Sequence, residues 1–269
     1  FNYWFTGIKV NEYTDASTSQ MLDPGKRTWA RDLIRTFGIP EKILGTIIQP
    51  GTVLGPLRTS VANLAGVTPL PVIAPATHDT AAAVAAVPAQ GDSWAYISSG
   101  TWSLMGVEVN EPQTGDKALT FNFTNEGGVG GTIRLLKNIA GLWLVQECKR
   151  TWEREGRAYS YEELMMLAEA APANGSIVNP DDASFMLPPS MPAALADYCR
   201  KTGQNVPVDP GAIIRCALDS LALRYLWVLE RLEELTGKRI SAIHIVGGGC
   251  QNTLLCQLAA DCCNRTVVA

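Results

Sequence analysis

Three consecutive glycines, Gly247 to Gly249, stand between a β-branched apolar run and an amphipathic segment. The run before them, residues 243–246, is typical of a buried strand, and residues 252–263 are typical of a helix. A strand that enters a helix through a tight glycine turn is characteristic of α/β folds, which place ligands at the carboxyl ends of strands. The triplet therefore predicts an α/β protein with a candidate ligand site at this turn.

The triplet does not match the two best-known phosphate-binding motifs. The dinucleotide fingerprint G-x-G-x-x-G needs a glycine where the chain has Asn252, and no G-K-[ST] follows as in a Walker P-loop. Glycines here would still let a ligand approach the backbone beside the free N–H groups of a helix start. The triplet alone is compatible with nucleotide binding and with a turn that is merely tight.

The strongest helical pattern covers residues 210–235, where apolar side chains recur on one face. Asp209 is predicted to cap this helix, Pro210 to occupy its first position and Gly237 to end it.

A second glycine-centred turn lies at Gly100, between β-type runs at 94–98 and 101–107. The two runs predict an antiparallel hairpin. The small hydroxyl residues and the N–H groups of such a turn can hold a phosphate, although the same sequence is compatible with an ordinary hairpin turn. It is not the nucleophile elbow of a hydrolase, because Tyr96 stands where that motif needs glycine.

The polar tetrapeptide 77–80 follows a predicted buried strand at 70–74 and precedes a predicted helix at 81–87. Chemistry in α/β proteins is often placed at such a strand-to-helix turn. The carboxylate of Asp79 can serve there as a helix cap or as a general base in a cleft. The tetrapeptide alone leaves both roles open.

The amino-acid composition excludes several classes of protein. Hydrophobic residues make up 46% and charged residues 18%, so the chain is expected to bury a core and not to be disordered. The net charge of −4 gives no sign of the positively charged surface that binds nucleic acid. The longest aliphatic run, residues 81–87, is too short to span a membrane. Two histidines give no zinc motif, and seven cysteines without a C-x-x-C pair indicate a reduced, cytoplasmic setting.

The two ends of the chain suggest a piece of a longer protein. The sequence begins with Phe1, inside what is predicted to be structured, and it stops within a β-branched run at residues 266–269. We therefore expect the chain alone to be inactive. A hinge at 88–92 predicts a domain boundary between residues 1–87 and 88–269.

Six short segments in order carry a resemblance to a known family. They are THDT at 77–80, SSGTWSLMG at 98–106, TNEGG at 124–128, LKNI at 136–139, GLWL at 141–144 and IVGGGCQN at 245–252. Together they resemble the FGGY carbohydrate kinases over nearly the whole chain. The resemblance implies the actin-like ATPase (ribonuclease H-like) α/β fold, with residues 1–87 ending a first, sugar-binding domain and 88–269 forming most of a second, nucleotide-binding domain.

The resemblance assigns the sugar side of the reaction to the 77–80 segment. Asp79 matches the family's catalytic base, and His78 and Thr80 match residues beside the sugar. The implied reaction transfers the γ-phosphate of ATP to a ketose hydroxyl, with L-rhamnulose as the expected acceptor. L-Fuculose, D-xylulose or another ketose remain alternative acceptors.

The resemblance assigns the nucleotide side to four positions. Thr101 matches a phosphate-contacting turn, Asn138 and Gln146 match nucleotide-contacting positions, and Gly248 matches the glycine at the adenosine site. The spacing of Asn138 and Gln146 also allows them to share one helix face. Mg²⁺ is implied together with ATP, but the sequence assigns no ligands to it.

Two other classes of protein compete with this assignment. One is an actin-like protein that binds nucleotide without transferring phosphate, against which the acid at Asp79 speaks. The other is a Rossmann oxidoreductase, which Asn252 disfavours. The expected partners are therefore ATP and a small sugar, with no nucleic acid and no membrane, and the sequence does not specify an oligomeric state.

Overall fold

The computed structural model describes residues 1–269, which form eleven α-helices, five short 3-10 helices and twelve strands. The helices are α1 (Asn2–Thr6), α2 (Tyr13–Ala16), α3 (Arg31–Thr36), α4 (Thr59–Ala65), α5 (Asp79–Ala85), α6 (Asp116–Phe121), α7 (Trp143–Arg154), α8 (Tyr161–Ala170), α9 (Met191–Lys201), α10 (Pro210–Thr236) and α11 (Thr253–Cys263). The strands are β1 (Val10–Glu12), β2 (Leu22–Asp23), β3 (Thr28–Trp29), β4 (Thr46–Ile48), β5 (Val53–Pro56), β6 (Pro71–Ile73), β7 (Trp94–Ser99), β8 (Ser103–Val109), β9 (Thr124–Gly127), β10 (Ile133–Ile139), β11 (Ala242–Val246) and β12 (Thr266–Val268).

The chain divides into two units, each made from two separate stretches. The first unit contains Phe1–Val87 and Glu108–Leu136, and the second contains Pro88–Val107 and Lys137–Ala269. The stretch Glu108–Leu136 thus lies with the first unit. The domain boundary at residues 88–92 stays a prediction.

The first unit combines short strand pairs with short helices. Strands β1 and β4 pair in parallel, and β2–β3, β5–β6 and β9–β10 pair antiparallel. Its core cluster comprises Tyr13, Ala16, Leu22 and Ile133. The prediction of a buried strand at 70–74 is wrong in its burial: β6 has only β5 as a partner, so two of its three residues are exposed.

The second unit contains, in this order, strands β12, β11 and β7, most of β8 and the end of β10 from a six-stranded sheet. Strand β11 pairs in parallel with both β12 and β7, while β7 and β8 form the predicted antiparallel hairpin, with Ser99 opposite Ser103. Parallel neighbours bring the carboxyl ends of β7 and β11 to the same edge of the sheet. The glycine turns that follow these two strands therefore lie at that edge.

Helix α10 confirms the strongest sequence prediction. The Asp209 carboxylate accepts the Ala212 N–H at 2.9 Å, and Gly237 ends the helix in a left-handed conformation at φ +66°. The buried face includes Tyr225, whose hydroxyl lies 2.7 Å from Ser103 Oγ in β8. Burial raises the pKa of Tyr225, so the phenol stays neutral. Its hydrogen bond to Ser103 connects the helix to the sheet.

The cysteines are all free thiols, and several are buried. Burial raises the pKa of Cys148, and it raises the pKa of Cys216 and Cys263 to about 12. These thiols pack as small apolar side chains. None of the helices combines the length and apolar character that crossing a membrane requires.

Candidate functional site

The start of α5 presents the Asp79 carboxylate to solvent. His78 occupies the N-cap position without a side-chain cap bond, and Asp79 is the first residue of the helix. The Asp79 side chain is 96% exposed, and its Oδ1 accepts the N–H of buried Thr80 at 2.6 Å. The carboxylate is thus anchored at one oxygen and remains accessible, an arrangement suited to proton transfer and not to helix capping.

Buried charged groups contact the His78 ring at Nδ1, on the edge opposite the one that faces Asp79. Arg134 is fully buried, and its Nη2 lies 2.8 Å from both His78 Nδ1 and Glu126 Oε2. Its Nε donates to the Gly127 carbonyl oxygen at 3.1 Å. On the other edge of the ring, His78 Nε2 lies 3.6 Å from Asp79 Oδ1. The ring orientation beside Asp79 is therefore fixed by an arginine held in place by two acceptors.

A second buried carboxylate, Glu12, holds the backbone of the same segment. It is 4% exposed and accepts the Thr77 N–H and the Thr77 hydroxyl, each at 2.9 Å, through Oε2. It also accepts the Thr14 N–H at 2.9 Å and the Thr14 hydroxyl, while Thr14 Oγ1 accepts the His78 N–H at 3.2 Å. One carboxylate thus connects the end of β1 to the two residues that precede Asp79.

Replacement of Glu12 by glutamine is expected to destabilise the chain. The amide offers a single acceptor oxygen, so buried donors lose their partner at a cost of ~1–3 kcal/mol each. The free energy of unfolding from urea denaturation measures this loss. Glu41, exposed and paired with Arg31 at the surface, is the control: its glutamine variant should change stability by no more than ~0.5 kcal/mol. Equal losses in the two variants would contradict the role given to Glu12.

Sequence reasoning missed Glu12, Glu126 and Arg134. The signal for two of them lay in the register of a hairpin, because Glu126 in β9 stands directly opposite Arg134 in β10. Opposite charges at facing positions on neighbouring strands form a pair. An arginine inside the apolar run 133–136, across a glycine-rich turn from a glutamate, was a recognisable sign of that pair.

Backbone hydrogen bonds from the residues at the start of α7 hold the Thr101 turn between β7 and β8 in place. The Leu142 N–H donates to the Gly100 carbonyl oxygen at 3.1 Å, and the Trp143 N–H donates to the Thr101 carbonyl oxygen at 3.0 Å. The Thr101 hydroxyl donates to Gln146 Oε1 at 3.0 Å. Two of the predicted nucleotide residues, Thr101 and Gln146, are therefore brought into contact.

A cavity of about 970 Å³ opens beside this turn. It is large enough for a nucleotide, since pockets for small molecules and cofactors typically measure ~300–1,000 Å³. Helix α8 lines it with Tyr161, Glu162, Met165, Met166 and Glu169. Helix α7 and the residue before it contribute Val145, Gln146 and Leu142, and the glycine turn and α11 contribute Gly248, Gly249, Gln251, Asn252, Thr253, Leu254 and Gln257.

The three glycines of the triplet differ in how much space surrounds them. Gly247 has φ +87°, and a Cβ there would lie 2.8 Å from the Ser99 carbonyl oxygen. A Cβ on Gly249 would lie 2.0 Å from Ser99 Oγ. A Cβ on Gly248 would meet no atom within 4 Å, and its φ is not left-handed. Two of the glycines are thus required by close packing, while Gly248 leaves open space next to the cavity.

The expectation that Asn138 and Gln146 share a helix face is wrong. Asn138 lies in strand β10 and Gln146 in helix α7, because Gly141 turns the chain between them at φ +55°. Asn138 is exposed, and it is not among the residues that line the cavity. The cavity contains Gln146 and Gly248 and borders the Thr101 turn at Gly100.

Gly248→Val is expected to lower the affinity for ATP at least tenfold without lowering stability. The isopropyl group would project into the open space by the cavity and would not strain the backbone. Calorimetric titration with ATP and urea denaturation measure the two quantities. Gly249→Ala is the contrasting variant, since its Cβ clashes with Ser99 and should reduce stability. Unchanged ATP affinity in folded Gly248→Val would refute this use of the cavity.

Two family models together match all of the chain except residues 87–94. Residues 1–86 match the N-terminal domain of the FGGY family of carbohydrate kinases, and residues 95–269 match the C-terminal domain of that family. Among solved structures, a gluconate kinase from Lactobacillus acidophilus is 19% identical, with a TM-score of 0.75 over 99% of this chain and 53% of that one. A Plasmodium falciparum glycerol kinase with ADP is 14% identical, with a TM-score of 0.71 over 99% and 52%. The predicted actin-like ATPase fold is thereby confirmed.

Two relatives of higher identity are both named rhamnulokinase. A rhamnulokinase from Bacteroides thetaiotaomicron is 46% identical over 268 residues, covering 100% of this chain and 54% of the relative. A rhamnulokinase from Enterococcus faecalis is 45% identical, covering 99% of this chain and 54% of that relative. The chain therefore spans about half the length of the curated relatives that it matches.

Proposed function

Because the chain belongs to the FGGY family of carbohydrate kinases, we propose that it supplies the general base and the nucleotide site of an ATP-dependent sugar kinase. The expected acceptor is L-rhamnulose, after the relatives named rhamnulokinase, and the expected product is L-rhamnulose 1-phosphate. The observation that carries the proposal is the Asp79 carboxylate, anchored through one oxygen and 96% exposed beside the firmly held His78.

Asp79 accepts the proton of the ketose hydroxyl as that oxygen attacks the terminal phosphorus of ATP. General-base assistance of this kind contributes ~10²–10⁴ in rate. Phosphoryl transfer otherwise depends on alignment and charge stabilisation, so the chain needs little covalent chemistry of its own. His78 and Thr80 flank the carboxylate and contact the sugar.

The Thr101 turn contributes donors for phosphate oxygens. The Gly100 N–H is used inside the turn, where it donates to the Trp102 carbonyl oxygen at 2.8 Å. The N–H groups of Thr101 and Trp102 are the donors left for a phosphate. Gln146 and Gly248 bound the space for the rest of the nucleotide.

Magnesium is expected to arrive with ATP. The chain has no group of three or more histidine, cysteine, aspartate or glutamate side chains placed to hold a metal ion. Mg²⁺ commonly binds through one or two carboxylates together with substrate phosphates, which requires no such group. When bound, the ion neutralises charge on the phosphates.

The test is a phosphorylation assay over a panel of ketoses. It uses a chimera in which this chain replaces the matching 54% of the Bacteroides thetaiotaomicron relative, and the unaltered relative is the control. We expect ATP consumption that depends on L-rhamnulose, with sugar phosphate as product. Faster turnover of L-fuculose or D-xylulose would refute the proposed acceptor. ATP binding without ketose-dependent phosphorylation would refute the proposed chemistry.

A further inference from the structure

The contacts of Arg134 determine which nitrogen of His78 carries hydrogen. A guanidinium has N–H donors and no acceptor, so a nitrogen 2.8 Å from Arg134 Nη2 must accept. That nitrogen is His78 Nδ1, which leaves the hydrogen of the neutral ring on Nε2. The two hydrogens of Nη2 have two acceptors at 2.8 Å, His78 Nδ1 and Glu126 Oε2.

Glu126 would impose the opposite tautomer if Arg134 were absent. Its Oε2 lies 3.5 Å from His78 Nδ1, and a carboxylate that close favours a hydrogen on Nδ1. Arg134 Nη2 is within hydrogen-bond distance of both acceptors and can donate to each of them. The fully buried guanidinium of Arg134 therefore selects the Nε2–H tautomer of His78. Without it, Glu126 would favour the Nδ1–H tautomer.

The choice of tautomer matters on the other edge of the ring, next to Asp79. With hydrogen on Nε2, His78 offers a donor 3.6 Å from Asp79 Oδ1. A bound sugar hydroxyl can then accept from His78 while a neighbouring hydroxyl gives its proton to Asp79. With hydrogen on Nδ1, Nε2 would be an acceptor and would compete with Asp79 for hydroxyl protons.

We propose that Arg134 is a positioning residue that holds His78 as the Nε2–H tautomer, so that His78 donates a hydrogen bond to a hydroxyl of the ketose. The use of that donor rests on the proposed function. The tautomer itself is a property of the chain without substrate. Arg134 acts through His78 and touches no reacting atom.

Nitrogen NMR of the chain labelled with [¹⁵N]histidine tests the tautomer directly. The chain has two imidazoles, His78 and His244, and a His244→Gln variant assigns the signals. Long-range proton–nitrogen correlations identify the ring nitrogen that carries hydrogen. In the unaltered chain we expect hydrogen on Nε2 of His78. Hydrogen on Nδ1, or on both nitrogens, would overturn the proposal without any variant.

Arg134→Met removes the donor and keeps the length of the side chain. We expect the hydrogen to move to Nδ1, next to Glu126. Arg215→Gln is the matched control: it breaks the buried pair with Asp219, at 2.8 Å in the second unit, and should leave the His78 signals unchanged. Retention of the Nε2–H tautomer in Arg134→Met, or its loss in the control, would overturn the role of Arg134.

If Arg134→Met does not fold, the double variant Glu126→Gln/Arg134→Met removes the guanidinium together with the charge that it pairs with. Removing both partners of a buried pair is far less costly than removing one. With neither charge present, His78 is expected to populate both tautomers. A pure Nε2–H signal in the double variant would overturn the proposal.

Kinetics of the chimera test the use of the donor. Loss of one hydrogen bond to the ketose should raise KM for the ketose about tenfold in Arg134→Met, with KM for ATP unchanged. Equal changes in both KM values, or none in either, would overturn this part. If the unaltered chimera shows no ketose-dependent activity, the proposed function fails while the tautomer result stands.

Discussion

Asp79→Asn is expected to lower kcat of the chimera by ~10²–10⁴ while sugar and ATP binding persist. The amide keeps the shape of the side chain, and its oxygen can still accept the Thr80 N–H, so the start of α5 should be preserved. It cannot take a proton from the attacking hydroxyl. Single-turnover kinetics together with calorimetric titration of each ligand separate the chemical step from binding.

Asp116→Asn is the matched control for this variant. Asp116 is likewise an exposed first residue of a short helix, α6, in the first unit. Its substitution should leave kcat unchanged. Near-parent turnover in Asp79→Asn would show that Asp79 is not the base, and unfolding of that variant alone would show that its role is structural.

Gly141→Ala is expected to lower the free energy of unfolding by ~2–5 kcal/mol. The left-handed conformation at φ +55° costs an alanine ~1–2 kcal/mol. Its Cβ would also lie 2.5 Å from the Trp102 carbonyl carbon and 2.6 Å from the Thr101 carbonyl oxygen, and relief of such overpacking costs a further ~1–3 kcal/mol. Urea denaturation measures the total.

Gly156 separates the two contributions at Gly141. It has φ +81°, but a Cβ there would meet nothing within 4 Å, so Gly156→Ala should cost only the ~1–2 kcal/mol of backbone strain. The excess loss in Gly141→Ala is then the contact with the Thr101 turn. Equal losses in both variants would show that the close approach of Gly141 to the Thr101 turn adds nothing to the loss of stability.

Local signals predicted the elements correctly where they agreed with one another. Helix α10 was identified because periodicity, the Asp209 cap and Gly237 all indicated the same segment. The β7–β8 hairpin was identified because two β-type runs flank Gly100. The glycine triplet was placed correctly between a strand and a helix.

Features that depend on distant residues, or on the backbone conformation of a single glycine, could not be predicted from local patterns. The apolar run at 70–74 suggested burial, but burial of β6 depends on how many strands pair with it, and only β5 does. Asn138 and Gln146 had helical spacing, but the left-handed Gly141 separates a strand from a helix there. The contacts between His78 and Arg134 join residues that only the folded first unit brings together.

The division of each unit into two stretches constrains when the chain can fold during translation. The core of the first unit needs Ile133 beside Tyr13, and the Gly127 N–H donates to Ser17 Oγ at 2.7 Å. A ribosome adds ~5–20 residues per second, so several seconds pass between synthesis of Val87 and of Leu136. During that interval the segment that carries Asp79 has emerged without the strands that hold His78. Asp79 therefore acquires its surroundings only after the chain has grown well beyond it.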